Sequence, residues 1–465
     1  MTRSGLDGQL DTRQGILSVG FEDRPPAART ALFGMQHVLA LTGIWLFPSI
    51  IGSALDLGQH EVAWIVQGCF FMTGLVTILQ SGRFLRLPIV QGPTAVFMVA
   101  IIGAASAFDL ATAFGSMMVA GVIAALLALP SRRWGLLGQV MRVATDPIVF
   151  GTLFVIIGAQ LAAIGLSGWF AMDATSGSSW TPFLISLATV GLVMGFTIFG
   201  GQTILRRGAI FWGIIGGTVL AALFGPWSLP DVSGVALLGA PQVLPFGFDV
   251  QWSVVLLMVL AFLQAGTEAM GMFKLVGGWG GRTIDVEQAN RGIFVEYLGS
   301  VVGAACGGIG TTSYPENAAI VRMTGIGSRF VTMAAGGIAI VLAFLPKFAL
   351  LVAGLPGPVL SAASTILFGV IAISGIQMLA EVEWDDLNVM VAAPALMIAL
   401  GTQFLPEDLV AALPPAVESV VTSPMMVGLI LLLLLHLVIN FGLRPILARR
   451  VPADPDLDQG VERTH

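Results

Sequence analysis

The sequence predicts an all-α polytopic membrane protein with fourteen transmembrane segments arranged as two inverted repeats of seven. Three observations carry this reading: an apolar composition, a regular recurrence of apolar stretches, and a one-sided placement of basic residues. Of 465 residues, 56% are hydrophobic and 10% charged, with a mean hydropathy of +0.91. Soluble domains carry about 25% charged residues. A chain this apolar cannot hide its surface in one aqueous core, so its solvent is lipid, and each crossing helix needs about 20 residues.

Apolar segments fall at 32–55, 60–81, 93–107, 110–129, 145–166, 182–200, 209–226, 251–276, 286–306, 315–326, 330–352, 357–379, 387–405 and 422–447. With a cytoplasmic N-terminus, the inner ends and loops of these segments hold 19 of the 21 Lys and Arg residues. Arg322 sits at the inner end of the tenth segment, and Lys347 lies near an outer loop. A wrong count would invert every later loop. The positive-inside rule therefore predicts fourteen spans with both termini cytoplasmic.

Residues 1–31, polar and carrying four arginines, read as a cytoplasmic tail without a cleavable signal. Residues 32–226 form the first repeat, 251–447 the second and 448–465 a second tail. An odd number of spans in each half makes the second half start from the opposite side, which is the geometry of an inverted repeat. The stretch Gly225–Val250, with four prolines, reads as a flexible outer linker. The run Glu381–Asp386 reads as a solvated cytoplasmic turn. Cys69 and Cys306 offer neither a disulfide framework nor metal spacing, and no basic block for nucleic acid is present.

The third and tenth segments are short. Each follows a Gly/Pro-punctuated stretch, Leu87–Pro93 or Gly307–Pro315, that suits extended backbone. Unwound backbone at membrane depth is tolerated around a cavity, and broken helices at matched positions point to a midplane solute site. Two acids fall in this region: Glu268 within Val254–Val276, and Glu316 after Gly307–Ser313. A charge at the bilayer centre costs at least about 2.5–3.5 kcal/mol, so such acids are functional candidates. Each has a structural alternative: a first-turn dipole role for Glu316, and an ion pair with Lys274 or Arg322 for Glu268. His37 reads either as a proton-coupling group or as a polar residue bonded to a neighbouring helix. Asn317 reads as a solute contact or a tie for broken backbone. Arg322 is an inner anchor or a cavity cation, and Glu296 is a structural acid near the inner interface.

Several motifs carry a family resemblance. The run Gly310-Thr311-Thr312-Ser313-Tyr314-Pro315-Glu316-Asn317, continued through Met323–Arg329, resembles the signature of the nucleobase–ascorbate transporters, also called the nucleobase:cation symporter-2 family. Gln36-His37, Leu87-Pro88-Ile89-Val90-Gln91-Gly92, Thr267-Glu268, and Leu367-Phe368-Gly369 with Ser374-Gly375-Ile376 match further family segments in order. The resemblance implies a core domain from spans 1–4 and 8–11, a gate domain from spans 5–7 and 12–14, and short β-strands preceding half-helices 3 and 10. It implies a bacterial inner-membrane carrier importing a nucleobase by proton symport, commonly as a homodimer and without a cofactor. The implied solute site comprises Glu268, Glu316, Tyr314, Pro315, Thr94, Ala95 and Asn317, with Glu268 and His37 as the proton-coupling pair.

The pattern is mixed. Pro315 stands where uracil-type members have glycine, and Ala95 where many have phenylalanine, leaving Phe97 as the nearest aromatic. Glu316 is the uracil-type acid, while the approach to span 3 resembles xanthine and urate carriers. Ala319 and Met272 also depart from family residues. A sulfate- or bicarbonate-type anion carrier is the second reading. No P-loop, His cluster or nucleophile–base arrangement supports a membrane enzyme.

Overall fold

A computed structural model describes residues 17–131, 133, 135–137, 146–170, 180–201, 203–225, 227–413 and 415–448. The C-terminal tail expected beyond residue 448, the first sixteen residues of the N-terminal one, Arg132 and Arg142 lie outside the described residues.

The first half contains α1 (Ala27–Leu39), α2 (Thr42–Ala54), α3 (Gln59–Leu79), β1 (Gln91–Pro93), α4 (Ala95–Ala107), α5 (Leu110–Leu127), α6 (Pro147–Ser167), α7 (Thr181–Phe199) and α8 (Ala209–Phe224). The second contains α9 (Trp252–Trp279), α10 (Val286–Ala305), β2 (Thr311–Ser313), α11 (Pro315–Thr324), α12 (Arg329–Ala343), α13 (Pro346–Ala353), α14 (Gly357–Leu379), α15 (Asp386–Gly401) and α16 (Pro424–His436). Each apolar segment corresponds to a helix or helix pair. Among the described residues, eight helices are long and apolar enough to cross a membrane, or nine if one bent pair counts as a span.

Local sequence sets the boundaries. Asp109 and Asp285 cap α5 and α10 by accepting from Thr112 N and Gln288 N, both at 2.7 Å. Hydrogen bonds from Thr112 hold the Asp109 carboxyl below its ordinary pKa. Pro315 opens α11, and Gly325 closes it in the left-handed conformation at φ 68°.

The structure corrects three expectations. Segment 330–352 is two helices, α12 and α13, bent by 88°, because Pro346 starts a new helix. Segment 32–55 is interrupted at Ala40–Leu41. The stretch Gly225–Val250 is laced onto helix ends rather than free: Leu244 N donates to Ala305 O at 2.7 Å, Gly239 N to Phe344 O at 3.1 Å, and Trp227 Nε1 to Gly354 O at 2.7 Å. Prolines that limit chain entropy favour such pinning. The acidic run is also anchored: Asp385 caps α15 through Asn388 N at 2.8 Å and pairs with Arg444 at 2.7 Å.

The helices pack in two sets. In one, α3 lies on α12, α1 on α12, and α5 on α9 and α10; in the other, α14 lies on α6, α7 on α8, and α15 on α16. Glycine allows the closest approach in the first set: a Cβ on Gly74 of α3 would fall 2.5 Å from Gly336 O of α12.

Candidate functional site

The two punctuated stretches meet inside the first helix set. β1 and β2 pair antiparallel, with Gln91 opposite Ser313, Gly92 opposite Thr312 and Pro93 opposite Thr311. Backbone bonds from Thr94 N to Gly310 O and from Tyr314 N to Val90 O, both 3.0 Å, extend the pairing. Extended backbone here leaves α4 and α11 as half-helices that start at the strands and run away from them, so their positive N-terminal dipole ends converge on the strand pair.

Behind the strands lies a fully buried polar network. Gln91 Nε2 meets Gln80 Oε1 at 2.7 Å, Ser313 Oγ at 2.9 Å and Glu296 Oε2 at 3.0 Å. Thr311 donates to Gln91 Oε1 at 3.1 Å, and Ser300 accepts from Thr311 N at 3.0 Å. Glu296 is 0% exposed and its carboxylate is tied into this network. The sequence signal was an acid inside an apolar run. Gln91 belonged to a quoted motif, yet its partners come from three other elements.

Glu268 and Glu316 lie close enough for their charges to interact. Both side chains are partly buried, each retaining some solvent-accessible surface. Neither makes a salt bridge among the described residues, so no ion pair of Glu268 with Arg322 forms. Thr42 Oγ1 of α2 lies toward Glu316 and Tyr314 but outside normal hydrogen-bond geometry, and it is buried without a partner. Sequence reading missed Thr42, because a lone threonine in an apolar span carries no signal.

The other expected residues divide. Pro315 is exposed on the face of α11 that also presents exposed Ala319 and Arg322. Thr94 and Ala95 are buried at the start of α4, and Thr94 caps it weakly through Val96 N at 3.4 Å. Tyr314 is committed to structure through Gly43 N and Pro93 O. His37 Nδ1 and Asn317 Oδ1 lie 2.6 Å apart, both buried, leaving Asn317 Nδ2 unpartnered. Phe97 packs edge-on against Phe262, with ring centroids 4.6 Å apart.

Comparison with known proteins decides the family. The model described as Permease family, of xanthine/uracil type, matches residues 28–408. The chain belongs to this family of nucleobase–ascorbate-type permeases. The permease is 27% identical to the uric acid transporter UacT of Escherichia coli, over 94% of this chain and 90% of the relative. It is 25% identical to the xanthine permease XanQ of Escherichia coli, over 91% and 94%. Among solved structures, the transmembrane domain of a cyanobacterium bicarbonate transporter, BicA, aligns with a TM-score of 0.58 at 15% identity, covering 90% of this chain and 99% of that one. SLC26A9 aligns at 0.56 and 11% identity, covering 86% and 65%. These likenesses show the fold. The permease is a multi-pass membrane protein with the fold of these transporters.

Proposed function

We propose that this permease imports a nucleobase, a purine such as xanthine or urate or else uracil, by proton symport with alternating access. The observation that supports the reading is the pair Glu268 and Glu316, close enough for their charges to interact beside the β1–β2 join, with no salt bridge to either among the described residues. Two neighbouring carboxylates are suited to ring N–H donors, which form charge-assisted hydrogen bonds with them. Their mutual repulsion is relieved when a proton or a donor enters, so solute and proton favour each other's binding. Backbone from the strands and the N-terminal ends of α4 and α11 suit the carbonyl edge of a flat base. The family and its xanthine- and uric-acid-transporting relatives support the substrate class.

In this reading Glu268, Glu316, Thr94, Ala95, Pro315 and Asn317 border the solute, Tyr314 shapes the join, and Glu268 with His37 carries the proton. The helix set of spans 1–4 and 8–11 is the core, and that of spans 5–7 and 12–14 the gate. The separate packing of α14 on α6 and α15 on α16 supports this division. Fourteen crossings, cytoplasmic termini, an inner-membrane location and a homodimer complete the proposal.

An anion carrier would share this fold, and Arg322 on the exposed face of α11 is its one supporting cation. Two acids at the join repel an anion, so the base is the better cargo. Proteoliposome uptake of labelled xanthine, urate and uracil, with and without an inward proton gradient, tests this. Gradient-dependent accumulation of one base supports the proposal. Accumulation of bicarbonate or sulfate with none of the bases would reverse the choice.

A further inference from the structure

A buried histidine in the second helix set has no part in the proposed solute site. His436 ends α16, 1% exposed after an almost wholly apolar run. The chain leaves it through a π-helical turn, Leu437–Leu443, a rare backbone form that recurs at functional sites. Asn440 of this turn and Arg444 just beyond it lie one and two turns on from the ring. Helix α16 packs on both α15 and α6.

Arg444 fixes the hydrogen positions in this cluster, because a guanidinium only donates. Its Nη1 and Nη2 reach Asp385 Oδ2 and Oδ1 at 2.7 and 2.9 Å, and Nη2 also reaches Asn388 Oδ1 at 3.1 Å. Its Nε donates to Asn440 Oδ1 at 3.1 Å. The Asn440 oxygen is therefore an acceptor. The amide nitrogen turns its two N–H groups to Asn388 Oδ1 and His436 Nδ1, each at 3.0 Å. Nδ1 must accept, so the proton of the neutral ring sits on Nε2. Nε2 faces α6 and lies 3.6 Å from Asp146 Oδ2, outside hydrogen-bond range. It has no other partner among the described residues. Asp146 is itself held in place as the cap of α6, accepting from Ile148 N at 3.1 Å.

A second proton can enter the ring only at Nδ1, where it meets the Asn440 N–H. The amide can swing away, or it can turn round and set an N–H against Arg444 Nε. Either response pulls it out of the position that joins α16 to Asn388 of α15. The same proton makes the ring a cation and draws Nε2–H onto the Asp146 carboxylate as a charge-assisted hydrogen bond. The charged groups facing the ring are Asp146 from α6, Arg444 from its own helix and, across Asn440 and Asn388, Asp385 at the start of α15. Glu418 precedes α16 and lies toward its other end.

We propose that His436 is a proton-binding site in the second helix set, separate from Glu268 and Glu316, at which a bound proton shifts the tie of α16 from α15 to α6. The neutral ring supports the join to α15 through Asn440 and Asn388. The charged ring makes a join to α6 through Asp146. The site goes beyond the transport proposal and does not depend on the cargo.

Melting curves of the purified full chain test it between about pH 8 and about pH 5, where histidine titrates and aspartate stays ionised. Asp146→Asn keeps the helix cap and removes the charge. Its cost in unfolding midpoint should be larger at the acid end of the range by about 1–2 °C, the scale of one ion pair in a chain this long. His436→Asn keeps an acceptor where Nδ1 stood and cannot titrate. In that background the cost of Asp146→Asn should be the same at both ends of the range. Asp146→Ser, which also caps a helix, replaces Asp146→Asn if that variant does not fold. A cost that fails to grow in acid would overturn the proposal, and so would one that grows as much without His436 as with it. Failed uptake of every base would sink the substrate assignment and leave this pattern standing.

Discussion

The hydroxyl of Tyr314 donates to the carbonyl of Pro93 at 3.0 Å and accepts from Gly43 N at 2.9 Å, fastening α2 and both broken spans at one point. Its ring fills the space above Gly92, where a Cβ would fall 2.6 Å from it. Tyr314→Phe keeps the ring and strands a buried backbone donor, which costs roughly 1–3 kcal/mol. A lower thermal-unfolding midpoint of the purified permease is the expected outcome. An unchanged midpoint would mean that the hydroxyl is not needed at the join.

Gln91 holds more. Its amide joins Gln80, Ser313, Thr311 and Glu296 in a network closed to solvent. Gln91→Leu strands several of these groups at roughly 1–3 kcal/mol each. It should therefore lower the unfolding midpoint further than Tyr314→Phe, while Glu296→Gln, which keeps a partner for the Gln91 amide, should fall between wild type and Gln91→Leu. Side-by-side melts of the three variants check the order.

Helices α3 and α12 touch through backbone. A side chain on Gly336 would meet Gly74 O at 2.9 Å and Ile78 at 2.8 Å. Overpacked sites cost about 1–3 kcal/mol or more where backbone must move. Gly74→Val should give low yield or aggregated protein by size-exclusion chromatography. Gly103→Ala, at a position with open space, should behave as wild type.

Glu22, in the segment that precedes α1 and acts as an N-terminal strap, pairs with Arg329 of α12 at 2.8 Å and with Arg86 and Arg282 of two connecting segments at 3.0 Å and 3.3 Å. Burial, the largest single influence, raises its pKa, but hydrogen bonds from Arg329, Arg86 and Arg282 together outweigh it and lower the pKa from 4.5 to about 2. A depressed carboxylate pKa gives stability that is full above the unfolded value and lost as the folded value is approached. The strap's contribution should thus be complete above pH 4.5 and disappear as pH falls toward about 2. Melts of wild type and Glu22→Gln should converge across that window and differ above it, less so in high salt.

Much of the architecture was legible because lipid imposes strong rules. Apolar helices of crossing length and the Gly/Pro breaks before Ala95 and Pro315 both follow from backbone costs in a bilayer. Glu268 and Glu316 were visible because acids are rare there. The bend at Pro346 was less legible, since apolar residues continue on both sides of it. Thr42 and the partners of Gln91 could not be read, because their meaning comes from elements distant in sequence. The pinning of Gly225–Val250 was hidden for the same reason: its anchors are backbone groups, which leave no trace in composition.

The central claim is that Glu268 and Glu316 hold one solute between them. Equilibrium binding of xanthine, urate and uracil to purified wild type, Glu268→Gln and Glu316→Gln measures this directly. Loss of a hydrogen bond to a charged group costs about 1.5–3 kcal/mol, so each variant should bind the cargo base roughly 10- to 150-fold more weakly. Equal affinity in all three proteins would contradict the account.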